Sequence, residues 1–269
     1  MKKIDIHQHY YPELDPDAAK VLKGMDEHHI EKALIMACHK DISPFVGDNE
    51  DVADMVRRHS DRFIGGVCVK PLAAAQARRT IRKYFDKGFK CVKMFPVYGF
   101  YPDDPKCFPV YELIQELDML LLFHTGGASK SLMTERPPVI PSLKYSRPGY
   151  YDTLGHAFPD LKMVLAHFGG GITVYNLAEV ISVCTNHKNI YLDISCSTAA
   201  AALEIYSKTV DRYVTPLDLN KLVWGSDNIN PGNWLKRNLA ALEKLTKGNN
   251  ELLEIIFYRN AHKLLKLIA

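Results

Sequence analysis

Eight short apolar runs that alternate with stretches of helical periodicity constrain the fold of this chain more than any other feature of its sequence. Strands that are apolar throughout are buried on both faces, and their alternation with helices is typical of a parallel sheet covered by helices. Eight such units in 269 residues match a closed (β/α)8 barrel. We therefore predict one α/β domain over residues 1–269, a TIM-like barrel with extra C-terminal helices. The predicted strands are 3–7 (KIDIH), 33–38 (ALIMAC), 63–69 (FIGGVCV), 91–95 (CVKMF), 120–124 (LLLFH), 162–167 (KMVLAH), 190–195 (IYLDIS) and 222–227 (LVWGSD).

The segments between these runs carry helix signals. Residues 71–88 begin with a proline, which suits a first helical turn, and end with a glycine, which suits a C-terminal cap. The other predicted helices are 109–118, 171–187 and 200–213, and the chain from about 233 onward adds two or three more. An open doubly wound sheet is the alternative, but no Gly-x-Gly-x-x-Gly motif follows the first strand.

The composition argues against several classes of partner. The formal net charge of +3 comes from Lys and Arg residues spread over helical stretches, so we expect no nucleic-acid partner. There is no run of 18 apolar residues and no signal-peptide pattern, so we expect no membrane association. The six cysteines show no Cys-x-x-Cys spacing and mostly lie in or beside apolar runs, which indicates reduced, buried thiols and a cytoplasmic protein.

Residues of metal-ligand type lie at the ends of the predicted strands. His7 and His9 follow the first strand with a spacing that places both imidazoles on one face of an extended chain. The C-terminal ends of barrel strands converge on one mouth, where active sites are built. We therefore predict a metal site at this mouth, and its candidate members from the later strands are Lys93, His124, His167 and Asp227.

The ordered motifs of the chain resemble the amidohydrolase superfamily, and within it the branch that includes aminocarboxymuconate-semialdehyde decarboxylase. The motifs are DIHQH (5–9), DRFIGGVCV (61–69), GFKCVKMFP (88–96), LLFHTGG (121–127), FPDLKMVLAHFGGG (158–171), IYLDIS (190–195), LVWGSD (222–227) and RNAHKLL (259–265). The resemblance covers essentially the whole chain. It implies a TIM-like barrel with a catalytic divalent metal and with His167 near the metal's water. The ligand positions that it implies are His7, His9, His124 and Asp227.

The residue types indicate the chemistry of such a site. Imidazole and carboxylate ligands suit zinc, which is our first choice, and also Mn²⁺, Fe²⁺ or Co²⁺. A metal with an open position activates water at neutral pH and polarises a substrate carbonyl. Asp227 is then placed to accept the water's proton, and His167 to orient the water or to stabilise a developing oxyanion. These two side chains are the predicted catalytic residues.

Lys93 departs from the pattern of the muconate decarboxylase. A lysine at the end of an inner strand points into the mouth, where an unpaired ammonium is costly. In other amidohydrolases, such as dihydroorotase, a lysine at the end of the fourth strand is carboxylated and bridges two metals. The alternative is one metal, with Lys93 as a charged pocket residue paired to Asp227 or to an acidic substrate. On the two-metal model the ligand sets are His7, His9 and Asp227 for the first ion, and His124 and His167 for the second.

Further residues near the predicted mouth have candidate roles in substrate binding. Arg147 suits a bidentate clamp on a substrate carboxylate, or else a surface ion pair. Tyr98, together with Phe100 and Tyr101, is predicted to line an apolar pocket wall. The long segment 126–146 has no clear periodicity, and we expect it to shape the substrate pocket.

Other polar residues are given different interpretations. Asp193, inside the seventh strand, either supports a ligand histidine or forms an internal ion pair. The remaining histidines fall in predicted helices or loops, and we interpret them as non-ligands. They are His28, His29, His39, His59, His156, His187 and His262.

Three functions are compatible with these residues. The first is a metal-dependent hydrolase that cleaves an amide, lactam, lactone or related bond of a small molecule through metal-activated water. The second is a lyase that uses the same site to remove CO₂ from a small unsaturated or aromatic acid, as several relatives do. The third is a barrel that binds metal or ligand without turnover, and the intact set of strand-end residues argues against it. Specificity lies in loops without a recognisable code. The sequence does not fix the oligomeric state, and the resemblance makes a homodimer one candidate, because homodimers are common among relatives.

Overall fold

Eight parallel strands form the centre of the molecule in the computed structural model, which describes residues 1–127, 140–170, 174–209, 216–227 and 232–267. The strands are hydrogen-bonded in chain order, and all seven recorded pairings are parallel. The predicted TIM-like barrel is therefore confirmed. The strands are β1 Lys3–His9, β2 Ile30–Met36, β3 Phe63–Cys68, β4 Cys91–Met94, β5 Leu120–Phe123, β6 Met163–Leu165, β7 Ile190–Asp193 and β8 Leu222–Val223.

Backbone hydrogen bonds outside the regular strand pairings join β1, at one edge of the sheet, to the segment after β8, at the other edge. The amide of Ile6 donates to the carbonyl of Trp224 at 3.1 Å, and the amides of Ser226 and Asp227 both donate to the carbonyl of His7, at 3.1 and 2.6 Å. The segment after β8 therefore runs directly beside the end of β1. This closure brings two predicted site residues together although they are far apart in the sequence.

Helices cover the outside of the barrel in the expected alternation. The helix predicted over 71–88 forms at Ala74–Phe85, and the one predicted over 200–213 begins earlier, at Cys196. Residues 171–173 and 210–213 of two predicted helices lie outside the described residues. The helices are α1 Ala19–Glu27, α2 Asn49–Arg58, α3 Ala74–Phe85, α4 Phe108–Glu116, α5 Tyr150–Ala157, α6 Ala166–Gly169, α7 Val174–Asn186, α8 Cys196–Thr209, α9 Gly232–Thr246, α10 Asn250–Glu254 and α11 Asn260–Leu264.

The apolar core has two layers. One layer lies between the sheet and the surrounding helices, and the other fills the barrel with side chains such as Ile6, Leu122 and Val164. Leu264 and Leu265, at the end of α11, belong to the inner layer, so the C-terminal helices close one end of the barrel. Among the described residues, no helix combines the length and apolarity that a membrane span requires.

Candidate metal centre

The C-terminal ends of five strands place the predicted metal-binding side chains around one mouth. His7 and His9 end β1, Lys93 lies in β4, and the others follow β5, β6 and β8 within one to four residues. Ile6 is an inner-layer residue, and a regular strand would turn His7 to the opposite face. A register irregularity in β1 between Asp5 and Gln8 interrupts this alternation, so the side chains of Ile6 and His7 both face the inside of the barrel.

The imidazole of His7 is completely buried and is held by a carboxylate. Its Nδ1 atom donates to Oδ2 of Asp193 at 2.5 Å. Because Nδ1 carries the hydrogen, Nε2 carries a lone pair that is directed into the mouth. Asp193 thus supports a candidate ligand histidine, which is one of the two roles that the sequence left open for it.

His9 has the same tautomer for a different reason. Its Nδ1 atom lies 3.1 Å from the backbone carbonyl oxygen of Met36, which can only accept a hydrogen bond. Nε2 of His9 therefore also carries a lone pair. The ring stacks on Phe95, with centroids 6.5 Å apart, and this contact limits its rotation.

Asp227 brings a carboxylate oxygen to both of these nitrogens. Its Oδ1 atom lies 3.1 Å from Nε2 of His7 and 3.7 Å from Nε2 of His9. Three lone-pair-bearing atoms therefore face one another, and the hydrogens of both imidazoles are engaged elsewhere. Such an arrangement is repulsive unless a cation or a proton lies among the three atoms, and the ammonium of Lys93 contacts one of them, Nε2 of His7. The donor set of two imidazoles and one carboxylate fits a divalent metal.

His124 and His167 form a second pair beside the first group. Nε2 of His167 lies 3.3 Å from Nδ1 of His124, and Nδ1 of His167 lies 2.9 Å from Oγ of Ser195. Nε2 of His124 lies 3.2 Å from the carbonyl oxygen of Gly127. The ring centroids of His167 and His7 are 5.1 Å apart, so the two groups are adjacent. The structure therefore brings together all five predicted histidine and aspartate positions of the mouth.

Lys93 is completely buried between these groups. Its Nζ atom lies 3.0 Å from Nε2 of His7 and 5.0 Å from the ring centroid of Phe95. Among the described residues, no carboxylate oxygen lies within ion-pair distance of this ammonium group. Its polar contact is thus with the same nitrogen that a metal would use, and not with Asp227, which was one of the two partners that the one-metal model allows.

Burial controls the protonation of the mouth. Removal from water lowers the pKa of His9 and His124 to about 3, with a further contribution from the charge of Lys93. Burial lowers the pKa of Lys93 as well, against the opposing attraction of Asp227 and Asp193. Burial raises the pKa of Asp227 to about 7, and Lys93 opposes this shift. The imidazoles are therefore neutral at physiological pH, as metal ligation requires.

A family model described as amidohydrolase matches residues 4–267 of the chain. The chain belongs to the amidohydrolase family. This match confirms the resemblance that the ordered motifs predict. A search among curated protein sequences finds no match.

Solved structures of other proteins share the barrel. A TIM-barrel protein of Bordetella bronchiseptica is 17% identical, with a TM-score of 0.72 over 99% of both chains. A probable 2-pyrone-4,6-dicarboxylic acid hydrolase of Acinetobacter baumannii, solved with citric acid, is 15% identical, with a TM-score of 0.67 over 99% of this chain and 100% of that one. A 5-carboxyvanillate decarboxylase of Novosphingobium aromaticivorans, in complex with manganese and 4-hydroxy-3-methoxy-5-nitrobenzoic acid, is 18% identical, with a TM-score of 0.63 over 91% and 79%. At these identities the likeness concerns the fold alone.

The sequence did not single out several residues that lie around the mouth of the barrel. Asp5 is buried, and it accepts hydrogen bonds from the amides of His7 and Ser226, at 3.0 and 2.9 Å, and from the hydroxyl of Ser226 at 2.5 Å. The hydrogen bonds of Asp5 therefore connect β1 to the segment after β8. Cys196 lies with its Sγ atom 3.4 Å from Nδ1 of His167. The available signal for Asp5 was its place two residues before His7 in the DIHQH motif, whereas Cys196 is distant in the chain from every predicted metal ligand and catalytic residue.

The predicted substrate-binding residues have mixed positions. Tyr98 lines an apolar cavity of about 270 Å³ together with Phe95 and Phe100, beside the histidine cluster. The recorded ion pair of Arg147 joins it to Glu179 on α7 at 3.5 Å, which is the surface alternative considered for it. Residues 128–139 of the predicted pocket loop 126–146 lie outside the described residues.

Gly225→Ala is expected to destabilise the protein by about 1–3 kcal/mol. An added Cβ atom would lie 2.5 Å from Cβ of His7 and 3.0 Å from its backbone nitrogen, so β1 must move. Guanidinium denaturation of the two proteins measures the effect. Gly127→Ala, also at the mouth, is the matched control, because within the described part of the chain its Cβ would meet Leu143 alone, at 3.7 Å. Equal stability of the two variants would show that β1 yields without cost.

Proposed function

We propose that the protein is a metal-dependent hydrolase that cleaves an amide, lactam, lactone or related bond of a small molecule. The observation that carries the proposal is the convergence of Nε2 of His7 and Nε2 of His9 on Oδ1 of Asp227. The hydrogens of both imidazoles are engaged elsewhere, and the ammonium of Lys93 reaches Nε2 of His7 alone, so a divalent cation is the group that would satisfy all three atoms together. The family membership and the open mouth support a catalytic use of that cation.

The proposed metal ligands are the two histidines of β1 and Asp227, with His124 and His167 as ligands of the same ion or of a second one. Zinc is our first choice, because proteins bind zinc with a few histidine nitrogens and carboxylate oxygens. Mn²⁺, Fe²⁺ and Co²⁺ bind the same donor types, and the Novosphingobium enzyme was solved with manganese. When bound, the metal would polarise a substrate carbonyl and make a water molecule more acidic.

Asp227 is proposed as the general base. Its side chain keeps 27% of its surface exposed, whereas His7 is fully buried, so the carboxylate can reach a substrate in the mouth. Because burial raises its pKa to about 7, it can accept a proton from the attacking water and release it to a leaving group near neutral pH. His167 is proposed to orient the water or to stabilise the oxyanion, with its ring fixed by Ser195.

The proposed substrate is a small molecule with an apolar portion. The cavity of about 270 Å³ adjoins the cluster through Phe95, whose ring also stacks on His124 with centroids 5.5 Å apart. Lys70 lines the same cavity and forms an ion pair with Asp41. Because Tyr98 lines this cavity, it is retained as a proposed substrate contact. The proposed binding of a substrate carboxylate by Arg147 stays a prediction.

A decarboxylase acting on a small unsaturated or aromatic acid is the second candidate. Its specific support is the similarity in fold to two decarboxylases of substituted benzoates, both solved with an aromatic carboxylic acid or its anion. The apolar cavity beside the candidate metal centre would accept an aromatic ring as readily as a lactone. Homodimer formation is also retained as a proposal.

Product analysis separates the two reactions. Purified protein loaded with Zn²⁺ or Mn²⁺ would be screened against small lactones, amides and hydroxylated benzoates, with metal-free protein as the control. Ring opening or two fragments without CO₂ release supports the hydrolase, and metal-dependent CO₂ release supports the decarboxylase. No turnover of any substrate by fully loaded protein would favour the barrel that binds metal without catalysis.

Asp227→Asn is expected to lower turnover by about 100- to 10,000-fold while a substantial part of the metal stays bound. The amide oxygen can still coordinate a metal, but the side chain cannot accept a proton at neutral pH. Asparagine also tolerates the positive φ of 69° at this position better than most residues. Turnover and metal content are measured on the same sample. Full turnover in this variant would exclude Asp227 as the base.

A further inference from the structure

A second group of metal-binding side chains lies on the outer helices, away from the mouth. Asp152 and His156 stand one turn apart on α5, and His187 follows the C-terminus of α7. These helices lead into β6 and β7, so their C-terminal ends lie near the opposite end of the barrel from the mouth. One ligand atom from each side chain lies within 4.8 Å of the others. We refer to these three residues as the outer cluster.

Asp152 is the centre of the outer cluster. Its Oδ1 atom lies 2.8 Å from Nε2 of His187, and its Oδ2 atom lies 3.8 Å from Nε2 of His156. Tetrahedral zinc with bonds of about 2.0–2.1 Å separates neighbouring ligand atoms by about 3.3 Å. The two distances lie on either side of that value, so small side-chain rotations suffice to place all three ligands around one ion.

Packing fixes one ligand and leaves the others accessible. His187 is only 5% exposed, and a Cβ atom at Gly155 would lie 2.4 Å from its ring, so the imidazole packs directly against the α5 backbone. The rings of His156 and His187 meet edge to face, with centroids 4.6 Å apart. The side chains of Asp152 and His156 are 46% and 75% exposed. An ion can therefore enter from solvent and meet a ligand that is already oriented.

Neighbouring cations are held by other groups. The ammonium group of Lys221 donates to the backbone carbonyls of Cys184 and His187, and Lys188 pairs with Asp160 at 3.5 Å. Neither of these contacts uses the carboxylate of Asp152. Among the described residues, the recorded side-chain contacts of the Asp152 carboxylate are those with the two histidines of the outer cluster.

We propose that the outer cluster is a second divalent-metal site, best suited to Zn²⁺, which ties the C-terminal end of α5 to that of α7. Two imidazoles and one carboxylate are the donor types that zinc prefers, and water completes the coordination. The inference is independent of the reaction at the mouth. It revises our interpretation of His156 and His187 as non-ligands, which was based on their positions in predicted helices or loops.

Equilibrium dialysis with Zn²⁺ alone tests the site on full-length protein that was first freed of metal with a chelator. The parent is expected to bind one more zinc per chain than His156→Ala or Asp152→Asn, or to bind that zinc at least about tenfold more tightly. Both substitutions affect exposed side chains, so the fold and the mouth are retained. His28→Ala, on a partly exposed helix end outside both clusters, is the matched control and should bind zinc like the parent.

Hydrogen exchange provides a second readout that metal in the mouth does not reproduce. Added Zn²⁺ is expected to slow backbone exchange at the C-terminal ends of α5 and α7 in the parent and in His28→Ala, but not in His156→Ala. Equal zinc stoichiometry and affinity in the parent and His156→Ala would overturn the proposal. So would an affinity at the outer cluster weaker than about 0.1 mM in the parent.

Discussion

In a His156→Ala background, which lacks the outer cluster, His7→Ala is expected to remove most of the divalent metal and to lower turnover by more than about 100-fold. Nε2 of His7 is the atom on which the other groups of the mouth converge, since it lies 3.1 Å from Oδ1 of Asp227 and 3.0 Å from Nζ of Lys93. Alanine removes this ligand and leaves a cavity. Elemental analysis of protein purified without added chelator measures the metal directly.

The same substitution should leave a folded barrel. Asp193 loses one donor, but its Oδ1 atom still accepts from the amides of Ser195 and His167, at 2.5 and 3.4 Å. The expected loss of stability is therefore about 1–3 kcal/mol. His59→Ala, whose ring contacts only Phe63 among recorded ring contacts, is the control and should keep its metal. Unchanged metal content after His7→Ala in the His156→Ala background would contradict the assignment of the first ligand set.

Much of this site was accessible from the sequence because barrel geometry is regular. A histidine that directly follows a buried apolar run must lie near the mouth, wherever the neighbouring loops go. This reasoning placed His124 one residue beyond β5 and His9 at the end of β1. It needed only the strand boundaries, which the apolar runs give to within a few residues.

The sequence could not indicate which atoms face one another. Asp227, His167 and Cys196 all have positive φ, of 69°, 55° and 54°. At these turns the chain leaves the strand direction, so the alternation of side chains no longer predicts where they point. These conformations are stabilised by contacts between distant segments, such as the bonds between Asp5 and Ser226. No local pattern encodes such contacts.

The outer cluster could be predicted from the sequence even less well than the mouth. Asp152 and His156 are a turn apart on one helix, which the spacing alone indicates. Their partner His187 comes 31 residues after His156 and is brought to them by the packing of α5 on α7. Only the glycine at position 155 allows the ring to approach that closely. A glycine within a short helix is compatible with many roles, so the sequence does not single out this one.

In the His156→Ala background, in which all metal counts are made, Lys93→Met is expected to keep one metal per chain, bound at least as tightly as in that background, while turnover falls by about 100-fold or more. The ammonium group contacts Nε2 of His7 and would repel a metal bound to that atom. Methionine fills a similar volume without charge, so the buried packing is preserved. Because an unpaired buried cation is removed, the metal-free variant should also be more stable, by about 1–4 kcal/mol.

Metal stoichiometry, affinity and turnover distinguish this one-metal model from the bridged one. If Lys93 is carboxylated and joins two ions, the His156→Ala background holds two metals per chain, and both Lys93→Met and Lys93→Ala lose metal because a bridging ligand has gone. Bicarbonate with a short-chain acid would then partly restore metal and turnover to the alanine variant. Lys70→Met is the matched control, since Lys70 follows the neighbouring strand β3 but is half exposed and paired to Asp41. Lys70→Met should leave the metal content unchanged on either model. A loss of metal that is confined to variants of Lys93 therefore identifies the bridge. Unchanged metal content in the variants at both positions leaves Lys93 as an electrostatic group of the pocket.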